Sequence, residues 1–483
     1  MDPVRKLKLA IARRSLASRR ISEETEHPLE VWIHSQVRAT LRASPEFRKA
    51  LGKSRLDEVS REDLEAYKLF KFRSLLARVQ QDSIYYKKAL GEAGVRLSDI
   101  RTFEDLQKVP LTEPAEVAKE PFYFLCVSQG KVMRAYTTSG TSGLKKRIFF
   151  TRDDILRIID SISAALKTVG MTKDDTLQIM FPTIASWDPG YVLDGACKIA
   201  GLRSVIADML DVDEQIRMMK EHGTTMMIGL TSFIYRVTVL ARDKYDLRSF
   251  GMKAIILSAE PLPESMRREI EEAWGCKALS QYGLTEMGLA TTIECHVQDG
   301  LHVNDADFLV EVIDPETGEH VSEREPGEIV FTSINYEATP LVRYRTYDLS
   351  CFINPPCACG FKTIGKVGKI RGRLDMMTKV VMGEKVFPLL FDEAVLSVSG
   401  VVNYQTVIDR VGYKDRLTFR VEFIGNGRDA RSRIEDAILR IDEIRAGVDN
   451  DLMETPVVEM MEQGSLDFVP KTQSIVDNRK LYG

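Results

Sequence analysis

The sequence predicts an α/β fold: a large doubly wound N-terminal body with a β-rich subdomain, followed by a small α/β C-terminal domain. Three observations predict it. Between residues 148 and 281, short apolar runs alternate with amphipathic segments, the mark of parallel strands joined by crossover helices. Beyond about residue 290 the chain turns to short strands and turn residues. After "GKIRGRLD", where Gly372 stands in a dense run of charge, a further unit begins and runs to the end of the sequence.

In chain order, residues 1–62 read as a helical extension, and its first twenty hold seven Lys or Arg against one Asp. Residues 63–372 read as the main domain, with its β-rich part at about 290–370, and residues 373–483 as the C-terminal domain. "RIFF" is a strand ending at Thr151, an N-cap for a helix with Ile155, Ile158, Ile159, Ile162 and Leu166 on one face. "TLQIMF" is the next strand, and Asp188-Pro189 reads as N-cap and first turn of the helix after it. "RSVIAD", "TTMMIGL" and "MKAIILSAE" are strands, each followed by a helical segment. "DPETGEHVSEREPGEIVFTS" reads as a hairpin with its turn at Pro315 to Glu319.

Composition narrows the function classes. The 483 residues are 44% apolar and 29% charged, with 67 basic against 71 acidic side chains and a net charge of −4, so nothing points to a nucleic-acid partner. Seven cysteines in so long a chain are no disulfide framework, and no apolar run is long enough to span a bilayer. A reducing, cytoplasmic setting is expected.

"TTSGTSGLKK", residues 137–146, concentrates hydroxyls, two glycines and two lysines with no acid among them. Side-chain and backbone donors beside positive charge suit a polyphosphate, although the spacing is not that of a Walker A loop. In an open parallel sheet, ligands lie beyond the C-terminal strand ends. The loops there are Ser258-Ala259-Glu260-Pro261 and "QYGLTEMG" at 281–288, with "LVRYRTYDLS" at 341–350 after the β-rich region. Tyr282 offers an aromatic face, Gly283 close approach, Thr285 a hydroxyl and Glu286 a carboxylate that could hold Mg²⁺ beside phosphate. Asp348 is placed to accept hydrogen bonds from a ribose diol. Cys295, His302, Cys357 and Cys359 form a set of zinc-ligand type, with "CACG" supplying two thiolates from one tight turn and His296 an alternative to His302.

These pieces in this order resemble the adenylate-forming (AMP-binding) superfamily, and within it the phenylacetate-CoA ligase branch. "SIYYKKALGEAGVRLSDIRTFEDLQKVPLTEP", "QYGLTEMG", "PLVRYRTYDLS", "CACG" and "GRLDMM" carry the resemblance, over roughly residues 65–480. It implies that Thr138, Ser139, Gly140, Thr141, Ser142, Gly143 and Lys146 belong to a loop covering the β- and γ-phosphates of ATP. Ser258, Ala259 and Glu260 would border the adenine and acyl pocket, Tyr282 would stack on the purine, and Thr285 would lie near the α-phosphate. Arg373 would support the ribose held by Asp348. Asp375 falls at the hinge about which a mobile C-terminal domain turns between half-reactions. Lys471, in "EQGSLDFVPKTQSIVDNRK", aligns with the catalytic lysine, with two departures: Pro470 for the usual glycine and Ser474 where a basic residue is common. Trp187 and Tyr191 fall near the acyl site, suiting an aromatic acid, and Asp188 or Asp194 could meet a cationic substituent.

The resemblance implies an AMP-forming carboxylate-CoA ligase using ATP, Mg²⁺ and CoA, carrying a structural Zn²⁺, and commonly a homodimer. An enzyme passing the acyl group to a carrier protein or amine, and a non-catalytic sensor of nucleotide or acyl-adenylate, are the other readings the two departures leave open.

Overall fold

The computed structural model of the protein describes residues 27–138, 145–182, 189–289, 291–380, 384–425, 427–468 and 475–479. Two strands, β1 (Val132–Thr137) and β2 (Arg147–Thr151), which flank the Ser/Thr/Gly-rich segment in sequence, pair antiparallel. Five parallel strands follow: β3 (Thr176–Met180), β4 (Arg203–Ile206), β5 (Met226–Leu230), β6 (Ala254–Ser258) and β7 (Lys277–Gln281), in the order β4-β3-β5-β6-β7. β3, β5 and β6 are buried along their whole length, as expected when helices cover both faces of a sheet. The strand order reverses between β3 and β5, so the ligand crevice belongs at their C-terminal ends.

The crossover helices form where the periodicity predicts. Thr151 caps helix Arg152–Thr168 by accepting from the Asp154 amide, while the Asp154 carboxylate accepts from the Thr151 amide. Ile158, Ile159, Ile162 and Leu166 are buried on its inner face. The next helix starts at Pro189. Asp188, its expected cap, lies outside the described residues.

The β-rich part consists of two four-stranded sheets. One holds Phe308–Ile313, Gly327–Ser333, Tyr344–Ser350 and Gly372–Arg373; the other holds Thr292–Glu294, Leu301–Val303, Phe352–Ile353 and Lys366–Val367. The expected tight hairpin is only partly realised. The Asp314 carboxylate accepts from the Glu316 and Thr317 amides to make the turn, but only one bridge, Ile313 to His320, follows it. The true partner of Phe308–Ile313 is Gly327–Ser333, because the charged run 323–325 and Pro326 cannot sit in a buried ladder. A further four-stranded sheet, Val401–Val411, Lys414–Phe423, Val457–Met461 and Ile475–Asp477, carries the C-terminal helices.

The described part of the N-terminal extension, from residue 27 on, packs against the main domain. Helix Pro28–Ala43 buries Leu29, Ile33, Val37 and Leu41, an i, i+4 stripe, and packs on helix Arg152–Thr168. Among the described residues no helix is long and apolar enough to cross a membrane.

Candidate active site

Every loop singled out beyond the sheet reaches one cavity of ≈ 400 Å³. Its floor includes Thr231 and Ser232 after β5, Ala259 and Glu260 after β6, and Tyr282 and Gly283 after β7. Local geometry explains the residue choices. A Cβ at Gly283 would lie 1.8 Å from the Leu289 carbonyl oxygen, so the loop can fold back only over glycine. Gln281 holds it there, donating to Leu289 O (2.8 Å) and accepting from Ser258 Oγ (2.5 Å). Ala259 and Tyr347, both non-glycine, sit at φ +67° and +61°, strain of the kind that clusters at functional sites.

The end of the cavity where phosphate is expected is built from paired charges. Lys146 N donates to Thr138 Oγ1 (2.9 Å) and Thr138 N to Lys146 O (2.9 Å), extending the β1–β2 pairing by one step. Lys146 Nζ turns inward to Glu286 Oε1 at 3.2 Å, with both side chains 7% exposed, and Tyr344 OH donates to the same oxygen at 2.9 Å. Thr285 stands beside Glu286 in the short turn Thr285–Met287. A buried charge left alone is costly, so phosphate or metal entering here must exchange partners with this pair. Ser139, Gly140, Thr141, Ser142 and Gly143 lie outside the described residues, as do Trp187 and Lys471.

At the end where a ribose is expected, Tyr282 OH donates to Asp348 Oδ2 at 2.6 Å, and its ring stacks near Phe331. Asp348 faces Arg373 across the sheet, with Arg373 Nε 3.8 Å away. Burial pushes the Asp348 carboxyl up to about 6, against the opposing pull of Arg373 and the Tyr282 hydrogen bond. Arg373 is also forked on Asp375 at 2.9 and 3.0 Å, tying the expected hinge residue to the site. Gly372, at φ +150°, sits where a Cβ would strike Phe387.

Three expectations need revision or refinement. Tyr191 is 64% exposed and off the cavity wall, because its helix turns Pro189 and Leu193 inward instead. Asp194 is not available to a cationic substituent, since it pairs with Lys198 (2.5 Å) and Ser204 (2.9 Å). Glu260 lines the cavity, but its carboxylate accepts from Ser232 N (2.7 Å) and Oγ (2.9 Å), at the start of helix Thr231–Ala241. Sequence reasoning missed Leu29, which reaches the cavity wall from the N-terminal helix, and Tyr344, whose place between Arg343 and Arg345 gives no sign of its bond to Glu286.

The ligand atoms of Cys295, His302, Cys357 and Cys359 lie within 4.8 Å of one another. Cys295 Sγ and Cys357 Sγ are 3.9 Å apart, and Cys359 Sγ is 3.4 Å from His302 Nε2. A tetrahedral zinc with these ligands has S···S edges of roughly 3.8 Å and S···N edges of roughly 3.5 Å, so the donor set fits the ion. Burial holds His302 toward its neutral, ligating form. His296 is exposed and does not compete. The loop carrying the thiols is clamped from the N-terminal helix: His27 Nε2 meets Cys359 O (2.8 Å), and the Glu30 carboxylate accepts from the Thr363 amide (2.7 Å) and hydroxyl (2.7 Å). Phe361 is stacked between the rings of His27 and His302.

With this geometry in place, comparison with known proteins is decisive for the family. The AMP-binding enzyme family matches residues 95–336, and its C-terminal domain matches residues 383–479. The chain belongs to the AMP-binding enzyme family. Among curated relatives of this AMP-binding enzyme, a phenylacetate-coenzyme A ligase of Thermus thermophilus is 29% identical over 76% of this chain and 83% of its own length. One of Escherichia coli K12, with the same name, is 26% identical over 76% and 84%. The fold is that of 2-hydroxyisobutyryl-CoA ligase in the postadenylation state, with a TM-score of 0.77 at 20% identity over 86% of this chain and 90% of that one.

Proposed function

We propose that this chain is an ATP-dependent, AMP-forming carboxylate-CoA ligase acting on a small aromatic or arylacetic acid. The observation that carries the reading is that Lys146–Glu286 and Tyr282–Asp348–Arg373 line the same cavity, part of whose wall is an apolar patch of Leu29, Ile162 and Leu166. One end suits a nucleoside phosphate and the other an apolar acyl group. The names of the curated relatives support the CoA acceptor and the aryl acid.

In the first half-reaction an oxygen of the substrate carboxylate bonds to the α-phosphorus of ATP, and the bond to the bridging oxygen breaks, releasing pyrophosphate. In the second, the CoA sulfur bonds to the acyl carbon and AMP leaves. Both steps move negative charge, so the chain's task is to meet that charge with pre-placed donors. Thr138 and Lys146 face the β- and γ-phosphates, with Ser139 to Gly143 completing their loop, and Thr285 faces the α-phosphate. Asp348 accepts from the ribose hydroxyls with Arg373 behind it, and Tyr282 lies against the purine. Glu286 would hold Mg²⁺, which supplies charge neutralisation when bound. Lys471 supplies the positive charge for adenylation, and the unit 373–483 turns about Asp375 to bring another face to the thioester step. The four-ligand cluster would hold a structural Zn²⁺, since four protein ligands leave no open position. All seven cysteines carry free thiols, which suits a cytoplasmic setting, and a homodimer is part of the same reading.

The test is pyrophosphate release across a panel of carboxylic acids, with and without CoA, and with hydroxylamine as a trap for the acyl-adenylate. CoA-dependent AMP and thioester formation supports the ligase. Pyrophosphate without a CoA thioester would move the acceptor to a carrier protein or amine, and no trapped acyl group with any acid would leave a sensor.

A further inference from the structure

Helix Thr231–Ala241 belongs to the main body, and it touches both the cavity and the C-terminal unit. Thr231 and Ser232 in its first turn line the cavity, while three side chains after them reach residues beyond 400. The Phe233 ring lies 6.3 Å from that of Phe468. Tyr235 OH donates to Val401 O at 2.9 Å. Arg236 Nη1 faces Glu422 Oε2 at 3.7 Å, and the same guanidinium lies 5.4 Å from the centre of the Phe468 ring.

Glu422 is the revealing member of this set. It stands on strand Lys414–Phe423 with its side chain 0% exposed, and one carboxylate oxygen accepts from the Leu466 amide at 2.6 Å. The other oxygen, Oε2, has no hydrogen-bond partner, and neither has the Arg236 Nη1 opposite. A carboxylate taken out of water holds its charge only beside a cation. Among the described residues, the ion-pair partner of Glu422 is Arg236, and it comes from the other unit. A positive charge on the main body thus compensates a negative charge buried in the C-terminal unit, and does so only while the two units stand as they do here.

These contacts converge on one short segment. Leu466 is held through Glu422, Phe468 is held by Arg236 and Phe233, and Asp467 and Phe468 line the cavity. Phe468 stands three residues before Lys471 in the sequence. A chain advances at most about 3.6 Å per residue, so where Phe468 is fixed bounds where the lysine can reach.

We infer that Arg236 is a positioning residue for adenylation: by holding Glu422 and Phe468 it sets the segment that leads to Lys471 at the cavity. Arg236 is not part of the cavity wall, so it acts through the lysine and not on the substrates. This rests on the ligase reading and refines it, giving one pose of the C-terminal unit a contact of its own. When the unit turns about Asp375 the pair separates, and the thioester step does without it. Position is enough to matter, because a misplacement of about 1 Å can cost a hundredfold in rate.

The experiment measures pyrophosphate release and, separately, thioester formation from a supplied acyl-adenylate, in the wild type, Arg236→Gln and Arg236→Lys. Arg236→Gln is expected to lower pyrophosphate release about tenfold and to leave the thioester step within about twofold. Arg236→Lys, which keeps the charge, should recover part of the loss. Glu422→Gln keeps an acceptor for Leu466 and should match Arg236→Gln, and the double variant should be no worse than either single one. In a Lys471→Ala background, Arg236→Gln should add nothing, because the group it positions is gone. Equal losses in both half-reactions, or a full further loss without Lys471, overturn the assignment. Hydrogen–deuterium exchange of the ligand-free protein carries the comparison without chemistry. Arg236→Gln should speed exchange over residues 462–468 several-fold while β5 and β6 keep their protection. A protein that turns over no acid therefore sinks the ligase reading, whereas the brace stands or falls on the exchange. Unchanged exchange over 462–468 in Arg236→Gln overturns it.

Discussion

The Lys146–Glu286 and Asp348–Arg373 end of the cavity, proposed to take the nucleotide, and the cysteine-histidine cluster are both dense in chemistry, and they are built on opposite plans. At the nucleotide end the key charges already have protein partners: Lys146 with Glu286, Glu286 with Tyr344, Asp348 with Tyr282, and Arg373 with Asp375. In the cluster, two thiols face each other at 3.9 Å and a third faces an imidazole at 3.4 Å, distances that a central cation would bridge. Provisional pairs suit a site that must open and reclose at each turnover. Converging donors suit a permanent occupant, and the loop that carries two of the thiols is also fastened to the N-terminal helix through His27 and Glu30.

The comparison breaks most visibly at Glu286. Glu286→Gln keeps the shape and the Tyr344 contact but removes the carboxylate opposite Lys146, and pyrophosphate release should fall by roughly three powers of ten, the upper scale for one pre-placed electrostatic contact. Near wild-type turnover with unchanged Mg²⁺ dependence would defeat its assignment.

Lys471 comes next. Lys471→Ala should lower adenylation by about two to three powers of ten while thioester formation from a supplied acyl-adenylate survives. Equal losses in both half-reactions would point to a shared role, and no loss in either would show that Pro470 and Ser474 mark a C-terminus that has left this chemistry.

For the cluster, metal analysis of protein purified without added zinc should find about one Zn per chain. Cys357→Ser should lower the melting temperature by several degrees and loosen the N-terminal helix to proteolysis before it alters adenylation. Zinc-free protein whose melting is indifferent to Cys357→Ser would reduce the cluster to buried thiols.

A smaller and graded effect concerns pH. The Asp348 carboxyl titrates near 6 in the folded chain, above its ordinary value of roughly 3.9. AMP affinity should therefore weaken as pH falls through about 6, where the carboxylate that accepts from the ribose is lost. The stability contribution runs the other way. The unfolded chain ionises first, so this group costs stability progressively between about pH 4 and 6 and a constant amount above. Asp348→Asn should flatten both dependences; an AMP affinity that stays level between pH 7 and 5 in the wild type would contradict the role.

The smallest effect is expected at Glu393. Helix Glu264–Trp274 has no side-chain cap of its own, and the Glu393 carboxylate, from helix Pro388–Val395, accepts from the Glu264 and Ser265 amides instead. Glu393→Ala should cost about 1 kcal/mol, as a lost cap does, and shift the ratio of adenylation to thioester formation by up to about fivefold. An unchanged ratio would mean that this contact does not bias the C-terminal unit.

Much of this protein is local in the sequence. The alternation of β3 to β7 with their helices, the Thr151 cap, the loop residues Ser258 to Glu260 and Tyr282 to Glu286, and the four zinc-type ligands are set by periodicity, turn chemistry and residue type over short spans, and those are the signals a sequence carries. The tertiary structure decided what depends on partners far apart in the chain. That Lys146 would turn onto Glu286, that Tyr191 would point outward while Leu29 reached the cavity from another helix, that Glu30 would tie itself to Thr363, and that Arg236 would face Glu422 from the other unit all follow from which surfaces meet. Burial and pairing are properties of an environment, and the environment exists only once the chain has folded.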